Sequence, residues 1–146
     1  MSEALYTRDI LRLAVSIPHQ SRLEKPHGTA EVRSRTCGSR VVADIMLSDD
    51  RAITQLGIEV NACALGQASA AILATEAMGK SADQIAKVRQ QLAGFLAGAE
   101  DRPGGWTNMD HLMAAKDHKG RHAAILLPYD AVLAAFEATT TENEAV

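Results

Sequence analysis

Only two cysteines, Cys37 and Cys63, occur in the 146 residues, too few for a disulfide framework. No apolar run approaches the roughly 20 residues needed to cross a bilayer. The opening stretch MSEALYTRDILRLAVSI is broken by Glu3, Arg8, Asp9 and Arg12, which argues against a secretory signal core. Charge of one sign is missing as well. Fifteen Lys and Arg stand against 18 Asp and Glu, a formal net charge of -3, and their interspersion leaves no broad basic surface for nucleic acid or anionic lipid. There is no internal repeat, nucleophile elbow, P-loop or metalloprotease helix motif, so an independent enzyme is not expected. With 47% apolar residues the chain can bury a core unaided. The absences together predict one cytoplasmic domain over residues 1–146, with no nucleic-acid or membrane partner.

Apolar residues at near-helical spacing, Leu5, Ile10, Leu13 and Ile17 with Leu11 and Val15 beside them, predict a first helix that Pro18 stops. HQSRLEKPHG reads as loop, and a weakly patterned strand follows between Ala30 and Thr36. VVADIML then alternates, with Val41, Ala43, Ile45 and Leu47 on one face. After the turn residues SDDR, AITQLGIEV alternates again through Leu56, Ile58 and Val60, with a bulge expected at Gly57. Carboxylates such as Asp44 and Glu59 read as solvated strand faces. Past Cys63 the period changes: ALGQASAAILATEAMG predicts a helix from Leu65 to Met78 that stops at Gly79. Ser81 and Gln84 make a capping-box signature before the stripe Ile85, Val88, Leu92, Phe95 and Leu96. Trp106 sits in a loop and reads as a cover for the core. Asp110 to Ala115 reads as a short helix, Leu127 to Ala138 as a closing helix with Pro128 in its first turn, and residues 139–146 as a frayed tail.

The hairpin bears on the thiols. A reversal at Asp49 and Asp50 opposes residues whose numbers add to about 99, give or take one or two, so Cys37 faces Ala62 or Cys63 at one end of the sheet. Cys63 also precedes a helix, where unpaired N–H groups and the helix dipole favour a thiolate. Gly38 gives a ligand close access beside Cys37. Three readings stay open: two small buried hydrophobes, a disulfide, or two corners of a metal or sulfur site. Two cysteines do not close a tetrahedral site. Of the five histidines, His122 in GRHAAILLPYD is the candidate to add a ligand.

TCGSRV resembles a Cys-Gly-Asp stretch, and ACALGQASAAILATEAMGKSADQI a Gly-Cys segment followed by a Ser/Ala-rich helix and a Gly-Lys turn. Both belong to the U-type iron-sulfur cluster assembly scaffolds: the IscU and SufU proteins and the N-terminal part of NifU. The resemblance runs from YTRDIL through PYDAVLAAF, and the long connection from Lys80 to Arg121 resembles the SufU-type insertion. It implies an α+β fold, a three-stranded antiparallel sheet with helices packed against it. It further implies a site of three cysteines and an aspartate that holds zinc or a nascent iron-sulfur cluster and accepts sulfur from a cysteine desulfurase. Cys37 and Cys63 match the first two cysteines. Ser39 stands at the aspartate, Ala124 at the third cysteine, and Arg121 matches the arginine three residues earlier. These departures weigh against stable zinc in a single chain. They leave a transient cluster shared by a homodimer, or sulfur accepted on Cys63 as a persulfide. The alternatives are a metal-free interaction module of the assembly machinery, with no cofactor in the isolated chain, and a thiol redox switch.

Overall fold

The computed structural model describes residues 7–35 and 38–145, with side chains described as far as Thr139. The elements run α1 (Arg8–Ala14), β1 (Gly28–Arg33), β2 (Arg40–Leu47), β3 (Ile53–Asn61), α2 (Ala64–Glu76), α3 (Ala82–Leu96), two 3₁₀ segments (Met109–Asp117 and Lys119–Arg121) and α4 (His122–Ala145). The strands form one antiparallel sheet in the order β1-β2-β3, the expected α+β architecture. α4 lies across β1 and β2 and against α2 and α3, while α1 packs on α2.

The alternation read from the sequence sets the inner face. Val41, Ala43 and Ile45 pair across with Val60, Ile58 and Leu56, and all but the half-buried Val60 are buried. Gly28, level with Ile45, lies so close to α4 that a Cβ there would strike the Ala135 carbonyl. α2 is buried nearly all round, from Leu65 and Gly66 through Ala74. Its small side chains let α1 and α4 approach from two sides. α3 begins with the expected capping box: Ser81 Oγ accepts from Gln84 N at 3.3 Å, and the Gln84 side chain accepts from Ser81 N at 2.9 Å.

The outer face departs from expectation. Asp44 is fully buried, because the polar segment after α1 folds back over the sheet as a strap. The Asp44 carboxylate accepts from Arg22 Nε at 2.6 Å, Arg22 Nη2 at 3.1 Å, the Leu23 amide at 2.9 Å and Thr29 Oγ1 at 2.7 Å. Gly57, the cross-strand partner of Asp44, lies beneath the Ser21 carbonyl, which any Cβ would strike. It marks a close crossing; the irregularity expected there falls between Met46 and Leu47. Glu59 does stay half-exposed.

The strap and the α2–α3 turn also use backbone groups of β3 on the side away from β2. Ile58 N donates to the His19 carbonyl at 2.8 Å, Ile53 N donates to Lys80 O at 3.0 Å, and Gly79 N donates to Ile53 O at 2.8 Å. Trp106 covers the core as expected, its ring stacked 6.1 Å from that of Tyr129.

At the C-terminal end, α4 starts at His122 and carries Pro128 in its interior. Thr139, expected in the tail, is buried: its hydroxyl donates to Phe136 O at 2.6 Å and accepts from Arg51 at 2.9 Å. Among the described residues no helix is long and apolar enough to cross a membrane.

Candidate functional site

The change of period at Cys63 is where β3 hands over to α2. Cys63 is the N-cap residue of α2, extended at φ -66° and ψ 171°; its carbonyl accepts from Gln67 N at 2.9 Å and its sulfur makes no capping hydrogen bond. The side chain is half-buried at the margin of the core. The β2–β3 ladder ends at the pair Arg40 with Asn61, which leaves Gly38 and Cys63 each two residues beyond the same end of the sheet. Cys37, expected opposite Ala62 or Cys63, lies outside the described residues together with Thr36.

The β1–β2 connection returns tightly to this corner. Gly38 N donates to Ser34 O at 3.1 Å and Ser34 N to Ser39 O at 2.9 Å. Gly38 takes the left-handed φ of 72°, with nothing within 4 Å of where a Cβ would stand, so this turn needs glycine and leaves open space beside it. Ser39 is only 4% exposed. On the surface alongside, Glu31 accepts from Arg40 and Arg33, both at 2.9 Å, and Arg40 lies 3.9 Å from Glu59. The bond from Arg40 comes first among the causes that hold the Glu31 carboxyl below its ordinary range.

The opening of α4 forms the third side. A Cβ on Gly66 would stand 2.8 Å from the Ala62 Cβ, 3.2 Å from Ala124 O and 3.3 Å from the Ala124 Cβ, so glycine lets α4 cross α2 one turn from Cys63. Pro128 has no N–H for the Ala124 carbonyl, and that carbonyl lies over Gly66. The next one along, Ile125 O, accepts from Ser69 Oγ at 2.7 Å. Ala124 is 1% exposed. His122 holds Nε2 2.9 Å from Ala115 O and 3.0 Å from Lys116 O; because carbonyls only accept, this nitrogen carries the proton. Arg121 is exposed on the turn just before.

The fold therefore gathers Cys63, Gly38, Ser39 and Ala124 around the end of the sheet. Among the described residues no three His, Cys, Asp or Glu side chains converge as a metal site. Gly66 was not singled out from the sequence; its signal is a glycine in the first turn of an otherwise Ala-rich helix.

Over most of its length the chain is similar to solved structures that include the following three. A nitrogen-fixing NifU-like protein (N-terminal) from Brucella abortus is 31% identical, with 96% of this chain and 97% of that one covered at a TM-score of 0.89. A candidate iron-sulfur cluster assembly scaffold protein for the SUF system from thermophilic Fervidobacterium islandicum AW-1 is 20% identical, covering 93% and 99% at 0.82. A hypothetical protein is 17% identical, covering 88% and 94% at 0.76. No family profile and no curated protein matches the chain.

Proposed function

We propose, from the premise that this chain belongs to the NifU-like N-terminal family, that it is a scaffold or sulfur-accepting accessory protein of iron-sulfur cluster assembly, carrying its cargo on Cys63 and Cys37. The observation that carries the reading is the setting of Cys63. A thiol at the hand-over from strand to helix is half-exposed and makes no capping bond, and it follows by two residues the end of the ladder from which the Gly38 turn leads. A structural cysteine would be sealed in the core.

A cysteine desulfurase is the partner this chemistry needs. The Cys63 thiolate attacks the terminal sulfur of the partner's persulfide. The partner's S–S bond breaks, the Cys63 persulfide forms, and the partner's thiolate leaves, with no outside oxidant. Exposed Arg121 offers positive charge to an anionic group near the start of α4. The chain's part is to hold and pass on cargo, which is not catalysis of its own.

A second reading is a metal-free interaction module. What favours it is that the aspartate and third-cysteine positions hold a buried serine and a buried alanine, Ser39 and Ala124. Radiolabelled sulfur transfer from a desulfurase separates the two. Wild type should take up label that reductant releases, and Cys63→Ser should show only background. Desulfurase binding that persists in Cys37→Ser/Cys63→Ser, with no label on wild type, establishes the second reading instead.

A further inference from the structure

We infer that the open edge of β1 is a surface for self-association: two copies of this chain pair β1 with β1, antiparallel about a two-fold axis at Val32, into one continuous sheet. The inference is independent of what Cys63 carries.

The two edges of the sheet differ. Along β3, outward backbone groups of Ile53 and Ile58 are already bonded to Lys80, Gly79 and His19. On β1, the bond from Ser34 N to Ser39 O fixes which groups point where. Backbone groups alternate along an antiparallel pair, so those of Ser34, Val32 and Ala30 face β2, and those of Thr29, Glu31 and Arg33 face away from it. Among the described residues, these three offer their N–H and C=O to no other backbone group, and their side chains are exposed. An edge of this kind is a template for one more strand.

The strand's own sequence, GTAEVR, selects a second copy of itself as that strand. In the register centred on Val32, Glu31 of each copy stands opposite Arg33 of the other, and the two valines face each other on the axis. Glu31 and Arg33 are also residues whose backbone groups point outward, so hydrogen bonds and ion pairs form in the same register. Centring on Glu31 or on Arg33 would instead set like charges directly opposite.

Arg33 gains most from the contact. It lies level with Arg40 of β2, a like charge, and the two share the Glu31 carboxylate. A second copy brings its own Glu31 to the open side of Arg33. On the inner face Val32 is half-buried at the margin of the core, and a second Val32 covers part of what is left exposed. Antiparallel pairing turns the two Cys63 ends in opposite directions, so each copy keeps its own corner.

Sedimentation of the full chain tests this from about 1 μM to about 500 μM, because one strand edge is at the small, weakly associating end of specific contacts. Reductant and chelator are present throughout, so neither a disulfide nor a metal links the chains. Wild type should pass from monomer to dimer over that span, with the Glu31 and Arg33 amides exchanging hydrogen more slowly at the top of it. Glu31→Arg and Arg33→Glu, with circular dichroism matching wild type, should each weaken the dimer at least about tenfold, since each sets like charges across the axis. Mixing the two variants should restore association, because an edge with two arginines then meets an edge with two glutamates; mixing would not repair a damaged fold. A wild type that is monomeric throughout overturns the inference and leaves the edge to an extended segment of a different protein. A dimer that both variants retain, or whose loss mixing does not repair, overturns it as well.

Discussion

Asp44 and Cys63 are both polar groups bordering the same sheet, and the fold treats them in opposite ways. The Asp44 carboxylate is completely buried and receives four donors from the strap and β1. The Cys63 thiol sits half-exposed at the mouth of α2 and caps nothing. A polar group whose bonding capacity is used up by its own chain belongs to the fold; one left at a margin is available to something else.

The sharpest way to break that contrast is to remove the consumed group. Asp44→Ala strands the donors of Arg22, Leu23 and Thr29 and should cost about 3 kcal/mol in urea unfolding; a loss no larger than that of an ordinary surface substitution would deny Asp44 its structural role. pH gives a finer version. Burial by itself raises the Asp44 carboxyl, but hydrogen bonds from Arg22, Thr29 and the Leu23 amide outweigh it and hold the group below its ordinary value. Its contribution is therefore present above about pH 4 and disappears as pH falls through the lowered folded value. Asp44→Asn should flatten that acid limb of stability.

Gly57→Ala pushes against the Ser21 carbonyl above it and should cost about 2 kcal/mol, with the strap amides near Leu23 exchanging hydrogen faster. Ser81→Ala removes one arm of the α3 capping box and should cost about 1 kcal/mol in the same unfolding assay. At the bottom of the scale, Cys63→Ser should change stability by less than about 0.5 kcal/mol while abolishing sulfur uptake. A large loss of stability there would place Cys63 with Asp44 as a structural group.

Local signals made much of this legible in the sequence. Alternation gave the inner faces of β2 and β3, the change of period gave the start of α2 at Cys63, and Ser81 with Gln84 gave the start of α3. The misreadings share one cause: a contact from a distant segment. Asp44 looked solvated because nothing in VVADIML announces that Arg22 and Leu23 come to lie over it. Pro128 looked like a helix start because its neighbours do not reveal Gly66 under the Ala124 carbonyl or the Ser69 hydroxyl on the next one. At the corner itself, the residue types at positions 39 and 124 were legible through the resemblance. The burial of Ala124 was not, since it depends on how closely α4 crosses α2 at Gly66.

The three backbone bonds along the outer margin of β3, to His19, Gly79 and Lys80, bear on how identical molecules can meet. A bare strand margin invites runaway stacking of one sheet onto the next. Here the segments before β1 and after α2 already occupy that margin, so a fibril-like ladder finds no foothold along it.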